Sequence, residues 1–329
     1  MKIENITGLK QDTRSHGVDP RLIDNKTYIG VEIELQNMAE YSAYPLPVPS
    51  FWIVKNDGSL RDHGLEFITG MDMNGIILPI RGQDYTESLD VWKKWIEKYI
   101  PKYGYPDTSG RTSLHIHIDV RNMHKHEVDK LCLLWAIFEP TFFYSLLKNG
   151  REDNIFCKPL HNTIESRRRL GQLLKTASSS EIQHMYSGSS KYEAINLTSI
   201  TYFGSVEFRI HQGTYDADQI LNWTNILLTL KKAAMDENIS VLDMPEMASN
   251  NGMVQFVGQV FGEYAHVILP IIDEKLFYLG VRQAQDIIHS DKFLKLHSSY
   301  LKNVNNKLPA NSILKEWASK NNRTVYTEE

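Results

Sequence analysis

The chain is poor in cysteine, with only Cys132 and Cys157 among its 329 residues. Neither stands in a paired or zinc-type spacing, so disulfides are not expected to hold the fold, and a reducing cytoplasm is the predicted compartment. Long uncharged apolar runs are also missing, and the opening residues MKIENITGLKQDTRSHGVD contain no stretch typical of a signal peptide. The sequence therefore predicts neither secretion nor a membrane span.

The chain also has no excess of positive charge. It contains 36 Lys and Arg residues and 40 Asp and Glu residues, which gives a formal net charge of −4. Such a balance gives no overall attraction to nucleic acid or to anionic membranes, so neither is predicted as a partner. Apolar residues make up 42% of the chain and charged residues 23%, which is typical of globular proteins. At this length the chain can form one elaborated domain or two.

The segment 113–120, SLHIHIDV, alternates between apolar and polar residues, which predicts a half-buried β-strand. Its polar face would carry His115, His117 and Asp119. Two histidines spaced i, i+2 point the same way from a strand and can share a ligand, most simply a metal ion. The alternative at this point is a strand whose histidines only face solvent.

Three further segments, 30–36, 64–69 and 204–212, show the same alternation. Their polar faces carry five groups of interest, which are Glu32, Glu34, Glu66, Glu207 and Arg209. Any one segment is compatible with a solvated edge strand, but four segments with the same pattern favour a shared polar face. We therefore predict an α+β fold in which an antiparallel sheet has helices packed behind it.

The predicted polar face has a chemical consequence. Closely spaced carboxylates repel one another and become protonated unless cations neutralise them. A donor set of mostly carboxylate oxygens with one or two histidines suits Mg²⁺ or Mn²⁺ better than a structural zinc. Arg209 adds a fixed positive fork suited to a phosphoryl oxygen. Hard metal ions together with an arginine favour phosphoryl transfer from a nucleotide.

Helical periodicity predicts the elements that cover the sheet. An amphipathic helix is expected over 84–100, ended by Pro101, and a long apolar helix over about 124–148, kinked by Pro140. The sequence Asp-Ala-Asp-Gln predicts a capped helix over 216–235.

Composition predicts the organisation of the chain. Residues 1–26 are polar and read as an N-terminal arm, 27–235 contain the four alternating segments, and 236–329 read as a helical C-terminal extension. Within 27–235, the Ser- and Gly-rich segment 177–190 is predicted to be a mobile loop that could serve as a lid.

The motifs, in this order, closely resemble the amidoligase family, a branch of the glutamine synthetase and glutamate–cysteine ligase superfamily. Its members are ATP-dependent carboxylate–amine ligases of bacteria and phages. The resemblance spans about residues 28–235 and implies that residues 27–235 form the catalytic domain. The motifs that carry it are Gly30-Val-Glu-Ile-Glu34, Asp57-Gly-Ser59 with Gly64-Leu-Glu66, His115-Ile-His117, Arg151 with Asn154 and Cys157, Tyr192 with Asn196, and Val206-Glu-Phe-Arg209 with Gly213-Thr214.

The resemblance implies a fold and an activity. The fold would be a glutamine-synthetase-like catalytic antiparallel sheet with helices packed on one face, followed by the helical extension. The activity would be ATP-dependent formation of an amide or peptide bond through an acyl phosphate. The substrates would be carboxylates and amines of amino acids, peptides or proteins. A monomer and an oligomer are both compatible with it, and the location would be cytoplasmic, in the host if a phage encodes the protein.

The resemblance also implies roles for individual residues. Glu34 and Glu66 would hold one Mg²⁺ or Mn²⁺ ion, and Glu32, His115 and Glu207 a second; two or more ions are expected beside ATP. The residues expected to be catalytic are Arg209, Glu207 and Glu66. The nucleotide would contact Asp57, Asn196 and Arg209. For Asp57 and Asn196 a contact with substrate, or a structural role in the turn or the sheet, is the alternative. The candidate substrate contacts are His117, Arg151 and Tyr192.

Two other functions remain open from the sequence. A metal-dependent hydrolase could use the His-x-His strand, as amidohydrolase-like barrels do, but it would need parallel βα repeats. A non-catalytic module could use the sheet as a peptide-binding groove. The hairpin turns and the intact set of carboxylates favour the ligase over both.

Overall fold

The computed structural model shows a mixed α/β architecture built on one sheet. It describes residues 1–11, 16–38, 50–61, 63–69, 80–108, 110–146, 151, 154–160 and 163–289. The strands of the sheet are β1 (Ile29–Leu35), β2 (Trp52–Asn56), β3 (Leu65–Thr69), β4 (Ser113–Asp119), β5 (Ile195–Asn196) and β6 (Ser205–Gln212). Residues 37–50 contain three prolines, which predict a loop, and they fall mostly outside the described residues.

The sheet has the order β2-β3-β1-β4-β6-β5, and each neighbouring pair is antiparallel. The four strands predicted from alternation are all present and adjacent, which confirms the antiparallel sheet. A hairpin joins β2 to β3 through the turn that contains Asp57, whose carboxylate accepts the Ser59 amide at 2.7 Å. The antiparallel pairing differs from the parallel barrel that the hydrolase alternative requires.

Long helices cover the apolar face of the sheet, as predicted. They are α2 (Gly82–Tyr103), α3 (Lys125–Thr141) and α7 (Ala217–Ala234). The apolar side chains of β1, β4 and β6 are buried against them, and Trp135 of α3 lies 4.9 Å from Phe208 of β6 between ring centroids. The predicted cap of α7 is confirmed, since the Asp216 carboxylate accepts the amides of Asp218 and Gln219.

The prediction that Pro101 ends α2 is wrong, whereas the predicted kink at Pro140 stays a prediction. Pro101 does not end α2, which continues to Tyr103, and ring contacts follow its last turns from Trp95 to Tyr99 at 5.1 Å and from Tyr99 to Tyr103 at 4.9 Å between centroids. Pro140 is followed not by more α-helix but by a π-helical turn, Phe142–Leu146. The Ala136 carbonyl, which Pro140 leaves without its helical donor, instead accepts a hydrogen bond from the Gln283 side chain of α11 at 3.3 Å.

The segment 177–190 is not a loop. It forms α5 (Ser179–Ser187), preceded by α4 (Ile164–Lys175) and followed by the short α6 (Ser199–Phe203). Ser178 caps α5 by accepting the Glu181 amide at 3.3 Å, and Ile182 and Tyr186 bury one side of the helix. Serine favours helix caps as well as loops, so its abundance here misled the prediction.

The opening residues are more ordered than a polar arm. They contain α1 (Ile3–Thr7), in which Ile3 and Ile6 are buried. Lys2 forms a β-bridge with His124, just before α3. The segment is therefore attached to the chain at the start of α3.

The C-terminal part is helical, as expected. It comprises α8 (Met244–Asn250), α9 (Gly252–Phe261), α10 (Ala265–Ile268) and α11 (Glu274–Ile288). The rings of Phe256 and Phe277 lie 6.2 Å and 5.9 Å from Phe138 of α3. These helices thus share the core of the sheet and α3, while the predicted boundary at residue 235 stays a prediction. In the described part of the chain, no helix combines the length and apolarity that crossing a membrane would need.

Candidate functional site

The pairing of the strands brings the predicted polar residues onto one face of the sheet. Glu34 of β1 lies opposite Glu66 of β3, and Glu32 lies opposite His115 of β4. On the other side of β4, His117 lies opposite Glu207 of β6. Side chains of opposite partners in adjacent strands are about 5 Å apart at their β-carbons, so these groups can interact directly.

Glu32, His117 and Glu207 form the first of two donor groups. One potential ligand atom from each lies within 4.8 Å of the others. His117 Nε2 is 3.2 Å from Glu32 Oε1, and His117 Nδ1 is 3.0 Å from the Ser205 hydroxyl. The serine thus fixes the orientation of the imidazole from the side away from Glu32.

Glu34, Asp57 and Glu66 form the second donor group, with the same mutual spacing. Glu34 is buried, and the Ser113 hydroxyl donates a short hydrogen bond to its Oε2 atom. The structure thus places Asp57 beside the predicted pair Glu34 and Glu66, where it offers a carboxylate oxygen to the same space.

His115 lies between the two donor groups and is only 2% exposed. Its Nδ1 atom is 2.9 Å from Glu32 and 3.4 Å from Glu207. Its Nε2 atom is buried and has no hydrogen bond, with Glu34 Oε1 at 3.8 Å. A buried imidazole nitrogen without a partner is costly, and a cation between it and Glu34 would satisfy both.

Glu207 is held by three side chains. The Arg209 guanidinium donates a short hydrogen bond to Oε1. Asn196 of β5 and Ser199 of α6 both donate to Oε2, at 2.5 Å and 3.0 Å. Asn196 is buried, so the structure places this predicted nucleotide contact behind Glu207, where its amide orients the carboxylate.

The first donor group is charged. Burial raises the pKa of Glu32, but hydrogen bonds with His115 and His117 outweigh burial and hold this pKa well below its ordinary value. Burial also raises the pKa of Glu207, yet the charges of His117 and Arg209 leave it lowered. For His117, burial lowers the pKa, and the charges of Glu207 and Glu32 raise it above its ordinary value. The group therefore favours carboxylates beside an imidazolium when no metal is bound.

In the second donor group, the pKa of a carboxyl group is raised instead of lowered. Burial, together with the negative charges of Glu32, Glu34 and Asp57, raises the pKa of Glu66 to about 8. At neutral pH this carboxyl group is protonated unless a cation compensates its neighbours. Oxygen-rich sets of this kind suit a hard divalent ion. Both donor groups, with the unsatisfied His115 nitrogen between them, thus fit the predicted Mg²⁺ or Mn²⁺ ions.

The remaining predicted residues lie outside the two donor groups. Arg209 Nε donates to the Phe156 carbonyl at 3.3 Å, so its guanidinium is fixed beside Glu207. Arg151 is 1% exposed and donates to the carbonyls of Thr112 and Arg209. This placement gives Arg151 a supporting position behind Arg209.

Tyr192 is 41% exposed, and its ring lies 5.8 Å from that of Phe156. The tyrosine thus contacts the residue whose carbonyl accepts from the Arg209 side chain. Its predicted contact with substrate stays a prediction.

The sequence interpretation missed the serines that orient the donor groups. Ser113, Ser199 and Ser205 each bond a carboxylate or an imidazole of the face. Ser113 and Ser205 occupy the first positions of β4 and β6, on the same side as the histidines and Glu207, so the alternation of each strand already contained the signal.

A pocket of about 390 Å³ adjoins the first donor group, at the Gly30 end of the face. Glu32 and His117 line the pocket on the side of the sheet, and this side is called its inner end. Its walls are mainly apolar and include Leu9, Tyr28, Ile68 and Phe203. Gly30 keeps the inner end open, because a Cβ atom there would lie 3.2 Å from the β-carbon of His117. Such pockets, apolar with a few polar groups at one end, are typical of small-molecule sites.

Part of the chain that contributes residues to this face matches a known protein family. Residues 77–231 match the family model described as "Putative amidoligase enzyme". No curated protein matches the chain. Among solved structures, a bifunctional glutathione synthetase from Pasteurella multocida is 11% identical with a TM-score of 0.32, covering 80% of this chain and 52% of that one. The chain thus spans about half the length of that synthetase.

The family match includes β4, β5 and β6, and with them both histidines, Glu207 and Arg209. It confirms the family predicted from the order of the motifs, and it supports carboxylate–amine ligation as the general class of reaction. Residues 77–231, a little under half of the chain, are therefore similar to the amidoligase family.

Proposed function

We propose that the protein is an ATP-dependent carboxylate–amine ligase that works through an acyl phosphate on a glutamine-synthetase-like catalytic sheet. The observation that carries this proposal is the single sheet face on which two donor groups flank His115, with Arg209 fixed beside them. Phosphoryl transfer depends on positioning and charge stabilisation, and this face offers ligands for cations and a guanidinium in one place.

The donor groups define which residues would hold the ions. Glu32, His117 and Glu207 form one group and Glu34, Asp57 and Glu66 the other. His115 would serve as a further ligand, since its buried Nε2 atom faces Glu34 without a hydrogen bond. Divalent ions bound there would neutralise phosphate charge and polarise the transferred phosphoryl group.

The pocket at the Gly30 end is the proposed nucleotide site. Its apolar and aromatic walls suit a base, and its inner end opens onto Glu32 and His117, where the phosphates would meet the first donor group. The substrate carboxylate would then approach the γ-phosphorus from the side of Glu34, Asp57 and Glu66. A carboxylate oxygen attacks that phosphorus, and ADP leaves.

Arg209 is proposed to bind the equatorial oxygens of the phosphoryl group as it moves to the carboxylate. Its guanidinium is preorganised by Glu207 and the Phe156 carbonyl, so little reorganisation accompanies the transfer. The amine then attacks the activated carbonyl carbon, inorganic phosphate leaves, and an amide remains. We propose the carboxylates and amines of amino acids, peptides or proteins as substrates.

The test follows ADP release with Mg²⁺, ATP and a panel of amino acids and peptides. For any active pair, a substrate labelled with ¹⁸O in its carboxylate should pass one ¹⁸O atom to the released phosphate, because an acyl phosphate retains that oxygen. Unlabelled phosphate would contradict the acyl-phosphate step.

Nucleotide binding tests the site independently of the substrate. Glu32→Ala and Glu207→Ala should each weaken binding of ATP with Mg²⁺ by more than tenfold, while Glu97→Ala, an exposed carboxylate of α2, should leave it unchanged. If folded Glu32→Ala and Glu207→Ala variants bind ATP as the parent does, the assignment is wrong. Tight zinc without nucleotide affinity would instead support the hydrolase.

A further inference from the structure

The leading segment, residues 3–11, is fixed to the strand that carries the histidines. Its first residues pair with the chain that follows β4: the Ile3 amide donates to the Met123 carbonyl at 2.9 Å, and the Glu4 amide to the Arg121 carbonyl at 3.1 Å. Ile3 is fully buried, which anchors α1 on the core. The leading segment lies outside the family match, which begins at residue 77.

A turn after α1 directs the leading segment to the pocket. Gly8 has a φ of 77°, the left-handed conformation that glycine adopts without strain, and it ends the helix. The next residues, Leu9 and Lys10, line the pocket, and Gln11 donates to the Asp119 carboxylate at 2.6 Å. The leading segment therefore forms one wall of the cavity whose inner end is Glu32 and His117.

Arg121 joins this wall to the rest of the pocket. Its guanidinium donates to the Lys10 carbonyl at 2.8 Å and to Asp119 of β4 at 2.8 Å. It also lies 5.6 Å from the centre of the Tyr28 ring. At Gly204, a Cβ atom would come within 2.3 Å of the Arg121 side chain, so the turn from α6 into β6 closes directly on the arginine.

The charges of this wall are unevenly balanced. Asp119 is paired with Arg121 and bonded to Gln11, which neutralises it. Lys10 is exposed, and within the described ranges no carboxylate lies at ion-pair distance from its ammonium group. The wall thus presents one uncompensated cation to a pocket whose inner end is proposed to hold metal ions, an arrangement complementary to a polyanion.

We propose that the leading segment is a working part of the nucleotide pocket, and that Lys10 selects for the phosphate-bearing form of the ligand. The proposal rests on the function proposed above and adds to it a specificity residue from outside the matched region. Arg121 is a positioning residue, since it contacts the Lys10 backbone, Asp119 and Tyr28 and holds the wall in place.

The charge is tested by binding measurements on the full chain with Mg²⁺, using ATP and adenosine as probes. Lys10→Ala should weaken ATP binding about two- to fivefold, as expected for one partly solvated ion pair, and Lys10→Glu should weaken it further. Adenosine should bind both variants as it binds the parent. Lys98→Ala, which removes an exposed lysine of α2, should change neither affinity.

The outcomes separate this proposal from the one on which it rests. If the parent chain binds ATP and Lys10→Ala and Lys10→Glu bind it equally well, Lys10 has no role. If they lose adenosine as much as ATP, the lysine shapes the pocket without selecting for phosphate, which also overturns the proposal. If the parent does not bind ATP at all, the proposed function itself fails.

Arg121→Lys tests the positioning role while it keeps the charge. The variant cannot bond Lys10 and Asp119 at once as the guanidinium does, so amides of the leading segment should exchange hydrogen faster. ATP affinity should fall, while Mn²⁺ affinity measured by electron paramagnetic resonance should stay within twofold of the parent. Unchanged exchange with unchanged ATP binding would show that Arg121 does not hold the wall.

Discussion

The packing of α11 against α3 makes Gly280→Ala a severe test of the fold. A Cβ atom at Gly280 would lie 1.8 Å from the Ile137 carbonyl oxygen and 2.5 Å from its carbon. Both are backbone atoms of α3, so no side chain can rotate away and the two helices must separate by more than 1 Å. Overpacked cores typically lose about 1–3 kcal/mol, and because the clash here is with backbone we expect a loss of about 3 kcal/mol in the free energy of unfolding.

Gly258→Ala is the matched control. Gly258 lies inside α9, and a Cβ atom there would meet nothing within 4 Å. The same substitution should therefore stabilise the protein by about 0.5–1 kcal/mol, because alanine loses less backbone entropy in a helix. Urea unfolding followed by tryptophan fluorescence measures both variants. Equal stabilities of the two variants would show that α11 does not approach α3 as closely as the structure has it.

The same experiment bears on the extent of the folding unit. Trp135 of α3 contacts β6 through Phe208, and α3 also packs against Phe277 of α11. We therefore expect a single transition that includes the C-terminal helices and the sheet, with Gly280→Ala shifting all of it. An early transition of the C-terminal helices, with tryptophan fluorescence unchanged, would contradict this reasoning and favour a separate extension.

Three further predictions concern the site. In metal-free protein, Glu66 has a pKa raised to about 8 by burial and by neighbouring carboxylates, whereas the ordinary value is 4.5. The folded state then binds more protons, so this group makes stability fall as pH rises from about 4.5 to 8. Urea unfolding in EDTA should show this slope, Glu66→Gln should flatten it, and a slope of unchanged size in the variant would refute the assignment. Asn196→Ala removes the amide that donates to Glu207 at 2.5 Å and should weaken Mn²⁺ binding about 10- to 100-fold. Asn250→Ala, which removes an exposed amide, is the control and should leave Mn²⁺ binding unchanged. Gly30→Ala places a Cβ atom 3.2 Å from His117 and should weaken ATP binding about tenfold, equivalent to about 1.4 kcal/mol; an unchanged Kd would remove Gly30 from the pocket.

The polar face could be predicted because successive side chains of a β-strand point to opposite faces of the sheet. In 30–36, 113–120 and 204–212, a period of two residues determines which side chains share a face, whatever the fold around them. The apolar partners then had to be buried, and the structure buries Val31, Ile116 and Phe208. The polar residues consequently lie together on the opposite side.

The allocation of ligands could not be predicted from alternation, because it depends on register between strands. A shift of β6 against β4 would exchange the neighbours of His115 and His117, and the structure has an irregularity in this pairing between Leu114 and Ile116. On the other side of β4, the pairing with β1 puts Glu32 opposite His115, and both histidines lie within hydrogen-bond distance of Glu32. The position of Asp57 likewise depends on how the β2–β3 hairpin folds over β1.

The helical errors have a local physical cause. Pro101 and the serines of 177–190 are signals of single residues, whereas aromatic stacking and two buried side chains decided both segments. Tertiary contacts of this kind are invisible to propensity. The leading segment was misjudged for the same reason, since Ile3 and Ile6 are too few to show periodicity.

The site is assembled from two parts of the chain that the family match separates. The matched region supplies His115, His117, Glu207 and Arg209, but Glu32, Glu34, Asp57 and Glu66 precede it. The antiparallel position of β1, between β3 and β4, is what brings the two sets together. Of the first donor group, the matched region contains His117 and Glu207 but lacks Glu32. It contains no residue of the second donor group. The proposed ligase chemistry therefore depends on residues 29–69 as much as on the region by which the family is identified.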